Sequence, residues 1–140
     1  MKAFVAFLVL LALLVLGGGG YFYWDRQNKV ENWGVGLTLN KEVEADEVEM
    51  VEARYNEILD REELLKKIVE KHKLTDYYEI SSNEEAVVRL REDSFVKLPG
   101  GSELHILFRG KRSTRAVREA TVRTLAEDFV RVSQAIGGNQ

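Results

Sequence analysis

No charged residue stands between Lys2 and Asp25. Ala3 to Leu16 is an unbroken apolar run, followed by Gly17 to Gly20 and then Tyr21-Phe22-Tyr23-Trp24. A helix needs about 20 apolar residues to cross a hydrocarbon core of about 30 Å, and this stretch supplies them. Its far end is aromatic, which suits the boundary between lipid and water. The expectation is a membrane anchor over residues 1–25, with Phe4, Leu8, Leu11 and Leu14 in lipid and Tyr21, Tyr23 and Trp24 at the interface. A cleaved signal peptide starts in the same way. No Ala-x-Ala-like site follows, but Gly18 and Gly20 leave cleavage before Tyr21 open. Lys2 lies on one side, and Arg26 and Lys29 on the other, offset by Asp25 and Glu31, so the charge bias that sets orientation is weak. An N-terminus this short normally stays inside, which puts the rest of the chain outside the cytoplasm.

What remains of the 140 residues is enough for one ordinary domain. A net charge of -3 argues against strong overall attraction to nucleic acid or acidic lipid. With no cysteine, disulfides, thiolate zinc sites and thiol nucleophiles are excluded.

The domain is expected over 35–136, after a linker at 26–34 and before a tail at 137–140. Val35, Leu37, Leu39 and Val43 alternate with Thr38, Asn40 and Glu42, the pattern of a strand buried on one face. The period then changes. Val48, Val51, Tyr55 and Ile58 form a helical stripe, with Asp46 and Glu49 spaced as a capping box. Asp60 and Glu63 are spaced to cap a second helix carrying Leu64, Leu65, Ile68 and His72. Ser82 and Glu85 repeat the signal before Ala86, Val87 and Leu90. Phe95 to Leu98 and Leu104 to Phe108 read as strands joined by the turn Pro99-Gly100-Gly101. Ser113 or Thr114 opens a last helix with Val122, Leu125, Ala126, Phe129 and Val132 on its core face, closing at Gly137-Gly138. The predicted class is α+β, an N-terminal transmembrane helix followed by a small sheet of about three strands packed with about four helices, in the order β-α-α-α-β-β-α.

Candidate chemistry is sparse. His72 falls on an apolar helix face and His105 on the outward side of a strand, neither with a carboxylate at metal-ligand spacing. No serine sits in a Gly-x-Ser-x-Gly elbow. The carboxylates lie on solvated helix faces, where no glycosidase-like pair stands out. The expectation is no enzyme, no cofactor and no metal. Charge distribution is more informative. Glu42 to Glu63 holds ten acids against two arginines, a local charge of -8. Arg109 to Arg131 holds seven bases against three acids, a local charge of +4. Ordinary solvated helix surface accounts for both. The sharper reading is self-association, with Glu47, Glu49 and Glu52 of one copy meeting Arg109, Lys111, Arg112, Arg115 and Arg118 of the next. The bases suit an anionic glycan, a lipid phosphate or a membrane surface equally well. Nucleic acid is not expected, because aromatic interleaving is lacking.

The stretch Asn56-Glu57-Ile58-Leu59-Asp60-Arg61-Glu62-Glu63-Leu64-Leu65, running on through Ile68 and His72 to Leu74, resembles the segment after the first membrane helix of Wzz-type polysaccharide chain-length determinants. So do Leu90-Arg91-Glu92, Val96, the run Ser102 to Gly110, and Thr114-Arg115-Ala116 leading to Leu125-Ala126-Glu127-Asp128-Phe129. The resemblance covers roughly Val35 to Val132 and rests on apolar patterning. It implies an α+β periplasmic base domain in a protein of the bacterial inner membrane, here expected to be single-pass. Such a protein oligomerises, works with polysaccharide polymerase or export components, and sets glycan chain length without chemistry of its own. The family's second membrane helix, its long helical extension and any phosphate loop are missing from this sequence. The alternative is a single-pass scaffold subunit of another envelope machine, such as a secretion or pilus apparatus.

Overall fold

The computed structural model describes residues 23–137. Residues 23–28 are helical and, after Lys29 alone, the chain enters strand β1 (Val30–Thr38). Four helices follow: α1 (Val48–Leu59), α2 (Glu62–His72), the short α3 (Leu74–Tyr78) and α4 (Asn83–Asp93). A hairpin of β2 (Ser94–Lys97) and β3 (Glu103–Lys111) leads through a 3-10 turn (Arg112–Thr114) into the long α5 (Arg115–Gly137). The fold is α+β around a three-stranded antiparallel sheet in the order β1-β3-β2. Among the described residues, no helix is long and apolar enough to cross a membrane. The expected anchor residues Phe4, Leu8, Leu11, Leu14 and Tyr21 lie outside the described residues.

Alternation decides which face of the sheet is buried. Trp33, Val35 and Leu37 of β1 stand opposite Phe108, Ile106 and Leu104 of β3, and Val96 of β2 stands opposite Ile106. This face meets the stripe Val122, Leu125, Ala126 and Phe129 of α5, against which α2 packs Leu64, Leu65, Ile68 and Val69 in the same core. The other face carries Phe95 and Leu107, part-exposed, beside the exposed Lys97 and Arg109.

The strand starts earlier than the alternation predicts. Residues 30–34, expected as linker, pair in full with β3, from Val30 opposite Lys111 to Gly34 opposite Leu107. Gly34 and Gly36 break the side-chain pattern without breaking the ladder, and so hide the strand from a reading by periodicity. Beyond Thr38 the chain stays against the hairpin, with the amides of Leu39 and Val43 donating to Ser102 O at 2.9 Å and Gly101 O at 2.8 Å. Gly101 makes this possible at a left-handed φ of 74°, packed against Val43.

One of the three predicted caps between β1 and the hairpin forms. Ser82 is extended and its hydroxyl accepts from the amide of Glu85 at 3.3 Å. Asp46 does not cap α1, because Glu47, the residue before the helix, already has helical φ and ψ and makes no side-chain cap bond. Asp60 does not cap α2 either. It ends α1, its amide donating back to Asn56 O while that of Arg61 donates to Ile58 O, and Asp60 and Arg61 alone separate the two helices. Neither Ser113 nor Thr114 opens α5 directly: both lie in the 3-10 turn, where Thr114 donates to Lys111 O at 2.8 Å. The additional helix α3 is too short to show a period, and is bounded by left-handed Lys73 and Glu79. Tyr77 from α3 packs on Phe108 with ring centroids 5.7 Å apart.

Candidate functional site: the basic end and the two edges of the sheet

The antiparallel register brings together cations that lie eighty residues apart in sequence. Val30 pairs with Lys111, and the amide of Arg112 donates to Lys29 O at 3.0 Å. Lys29, Lys111 and Arg112 therefore converge at the end of the sheet where the chain arrives from the N-terminal apolar run. Tyr23 and Trp24, on the helical residues just before, are 67% and 62% exposed, and Val30 is 60% exposed. Arg115 stands exposed at the start of α5. Arg109 is exposed on the outer face, 3.6 Å from Asp93. Burial holds the carboxyl of Asp93 above its ordinary range, with the Tyr78 hydroxyl and Arg109 pulling the other way.

Arg118 is a correction. Expected among the surface bases, it is fully buried. Its guanidinium donates to Phe108 O at 3.1 Å, Lys111 O at 2.9 Å and Glu31 Oε1 at 3.2 Å, tying α5 to the ends of β1 and β3. Gly110 makes room for it: a Cβ there would come within 2.6 Å of both Arg118 Cδ and the Tyr77 hydroxyl. The signal was present in the sequence. Arg118 stands four residues before Val122 and so continues the core stripe of α5, but its charge counted for more than its spacing.

The acidic candidates also divide. Glu47 and Glu49 are exposed. Glu52 is engaged, accepting from the amide of Leu98 at 2.7 Å and from Lys97 Nζ at 3.3 Å. With Asn56, it closes one edge of the sheet. The Asn56 amide group accepts from Val96 N at 2.8 Å and donates to Val96 O at 3.3 Å, as a neighbouring strand would. Sequence reading missed this role, because a glutamate and an asparagine on a helix carry no mark of an edge cap.

The other edge is open. Bonds from Arg112 to Lys29 and from Leu39 to Ser102 fix the phase of β1, so that its odd-numbered residues bond towards β3. The backbone groups of Val30, Asn32, Gly34, Gly36 and Thr38 face outward, and β1 ends the sheet among the described residues. Beside this edge, a groove of about 460 Å³ is lined by Val35, Leu37, Ala126 and Val130, with Arg123 and Glu127 at its rim.

His72 Nε2 lies 2.9 Å from the Thr124 hydroxyl, joining α2 to α5. Burial, with Lys71 nearby, holds its pKa below the ordinary histidine value. His105 lies 3.3 Å from Glu103 on the outer face. No group of three or more metal-ligating side chains occurs among the described residues. No protein-family model matches the chain, and neither does any curated protein or solved structure.

Proposed function

We propose that the chain is a membrane-tethered, self-associating module of the bacterial inner membrane, with its domain in the periplasm and no chemistry of its own. In this reading it takes part in polysaccharide chain-length control, assembly or export, as the Wzz-like patterning implies, alongside polymerase or export components. The observation that carries the tether is the meeting of Lys29, Lys111 and Arg112 at the point where the chain arrives from the apolar run. Cations set at the exit of an anchor meet the phosphates of anionic headgroups, and aromatic residues beside them suit the interface. With a single residue between the helical segment and β1, the domain is held against the surface that anchors it. Glu47 and Glu49 on one side and Arg109, Lys111, Arg112 and Arg115 on the other are surfaces open to further contacts.

The test is deletion of the gene, followed by measurement of the length distribution of surface and secreted polysaccharides. Loss of the preferred length, restored by the intact gene, is expected. An unchanged distribution would overturn the glycan role and leave a tethered scaffold of another envelope machine.

A further inference from the structure

The two edges of the sheet are treated differently. The edge at β2 is closed by side chains of α1, with the amide and carbonyl of Val96 met by Asn56 and the amide of Leu98 by Glu52. The edge at β1 is nine residues long and has no proline, no lysine and no bulge, and its one charge, Glu31, is neutralised by Arg118 within the same copy. Its outward backbone groups come from Val30, Asn32, Gly34, Gly36 and Thr38, and two of these five have no side chain.

We infer that β1 pairs antiparallel with β1 of a second copy about a two-fold axis, joining the two sheets into one of six strands. The register centred on Val35 matches the pattern best. It sets Val35 against Val35 and Trp33 against Leu37 on the helix side, with Gly34 against Gly36 and Asn32 against Thr38 on the other. The even-numbered residues then exchange the hydrogen bonds, as the phase of β1 requires. The groove supplies the second half of the contact. Because α5 packs on both β1 and β3, a two-fold beside β1 sets the two α5 helices about 10 Å apart, a normal helix-packing distance. Val35, Leu37, Ala126 and Val130 of each copy close over those of the other. Arg123 and Glu127, one turn apart on the rim, are complementary across a two-fold that runs the helices antiparallel. Among the described residues Glu127 makes no ion pair, and Arg123 pairs only with the half-buried Glu119 of its own helix, at 2.7 Å. Opposite charges within one short patch favour a copy of the same surface over a foreign partner.

The pairing rests on the self-association proposed above, and the experiment separates the two. The chain has no cysteine, so one introduced thiol reports a single contact. Residues opposite each other in a non-hydrogen-bonded pair have Cα atoms about 4.5 Å apart, within disulfide reach. The full chain in detergent or lipid nanodiscs is expected to behave as a dimer by light scattering. Val35→Cys is expected to convert mostly to a disulfide-linked dimer under mild oxidation, while Met50→Cys, exposed on α1, stays monomeric on the same gel. Arg123→Glu should lose the dimer, and the exchange Arg123→Glu with Glu127→Arg should restore it, which a folding defect would not do. An oligomer in which Val35→Cys does not cross-link, or in which Met50→Cys cross-links equally, overturns the β1 pairing and leaves self-association standing. A monomer at every concentration overturns both.

Discussion

Arg118 shows how much one buried charge can organise. Four acceptors from β1 and β3 converge on its guanidinium: Phe108 O, Lys111 O, Glu31 O and Glu31 Oε1. Truncation would strip the partners from a part-buried carboxylate and from carbonyls that already bear the end of the sheet. Arg118→Ala is therefore expected to cost about 3 kcal/mol, since removing one member of a buried pair leaves the other uncompensated. Arg115→Ala, a substitution at an exposed base, should stay within about 0.5 kcal/mol. Urea denaturation of the two variants side by side checks the contrast; equal stabilities would mean that Arg118 does not hold this end of the sheet. Its charge made it look like surface, whereas the burial of Leu65 or Phe129 followed directly from spacing. Spacing alone places Arg118 correctly with Val122 on the core stripe; charge is what misdirects the reading.

At the scale of elements, the strands and long helices were legible because their apolar positions repeat over several turns or pairs. What escaped was short or lacked a clear pattern: α3, the first half of β1 up to Gly34, and every expected cap but Ser82, since caps depend on the backbone of the preceding loop. The edge closed by α1 was also illegible, because it joins residues forty and more positions apart. Asn56→Ala would leave the amide and carbonyl of Val96 without partners on that side. The expected cost is about 1–3 kcal/mol, together with a tendency to aggregate through the newly opened β2 edge. Denaturation and light scattering on the purified variant measure the two effects. A variant as stable and as soluble as the parent would show that the side-chain bridge is dispensable.

Across the whole molecule, stability should depend on pH through His72. Its folded pKa lies below the ordinary value of 6.5, so the unfolded chain takes up the proton first as pH falls. The associated stability is present above about 6.5 and is lost as pH drops from there towards the folded value. His72→Gln, which cannot titrate, should flatten this part of the profile: between about pH 7.5 and 5.5 the melting temperature of the parent falls more than that of the variant. Parallel profiles would assign the dependence to other groups. The candidate site was only half legible on this scale. The basic character of 109–115 could be read directly, but its meeting with Lys29 needed the register of β1 on β3, and the open edge needed the sheet order. Both are properties of pairing, which no stretch of sequence contains by itself.

The direct passage from the helical residues 23–28 into β1, with Lys29 alone between them, has a mechanical consequence. A pull on the N-terminal segment along the strand loads the β1–β3 hydrogen bonds in shear, all at once, whereas a sideways pull would unzip them one pair at a time. The domain would then resist being dragged along its strand axis far more than being peeled from its edge. Buried Arg118, fastened across the loaded end, stands where such a rupture would have to begin.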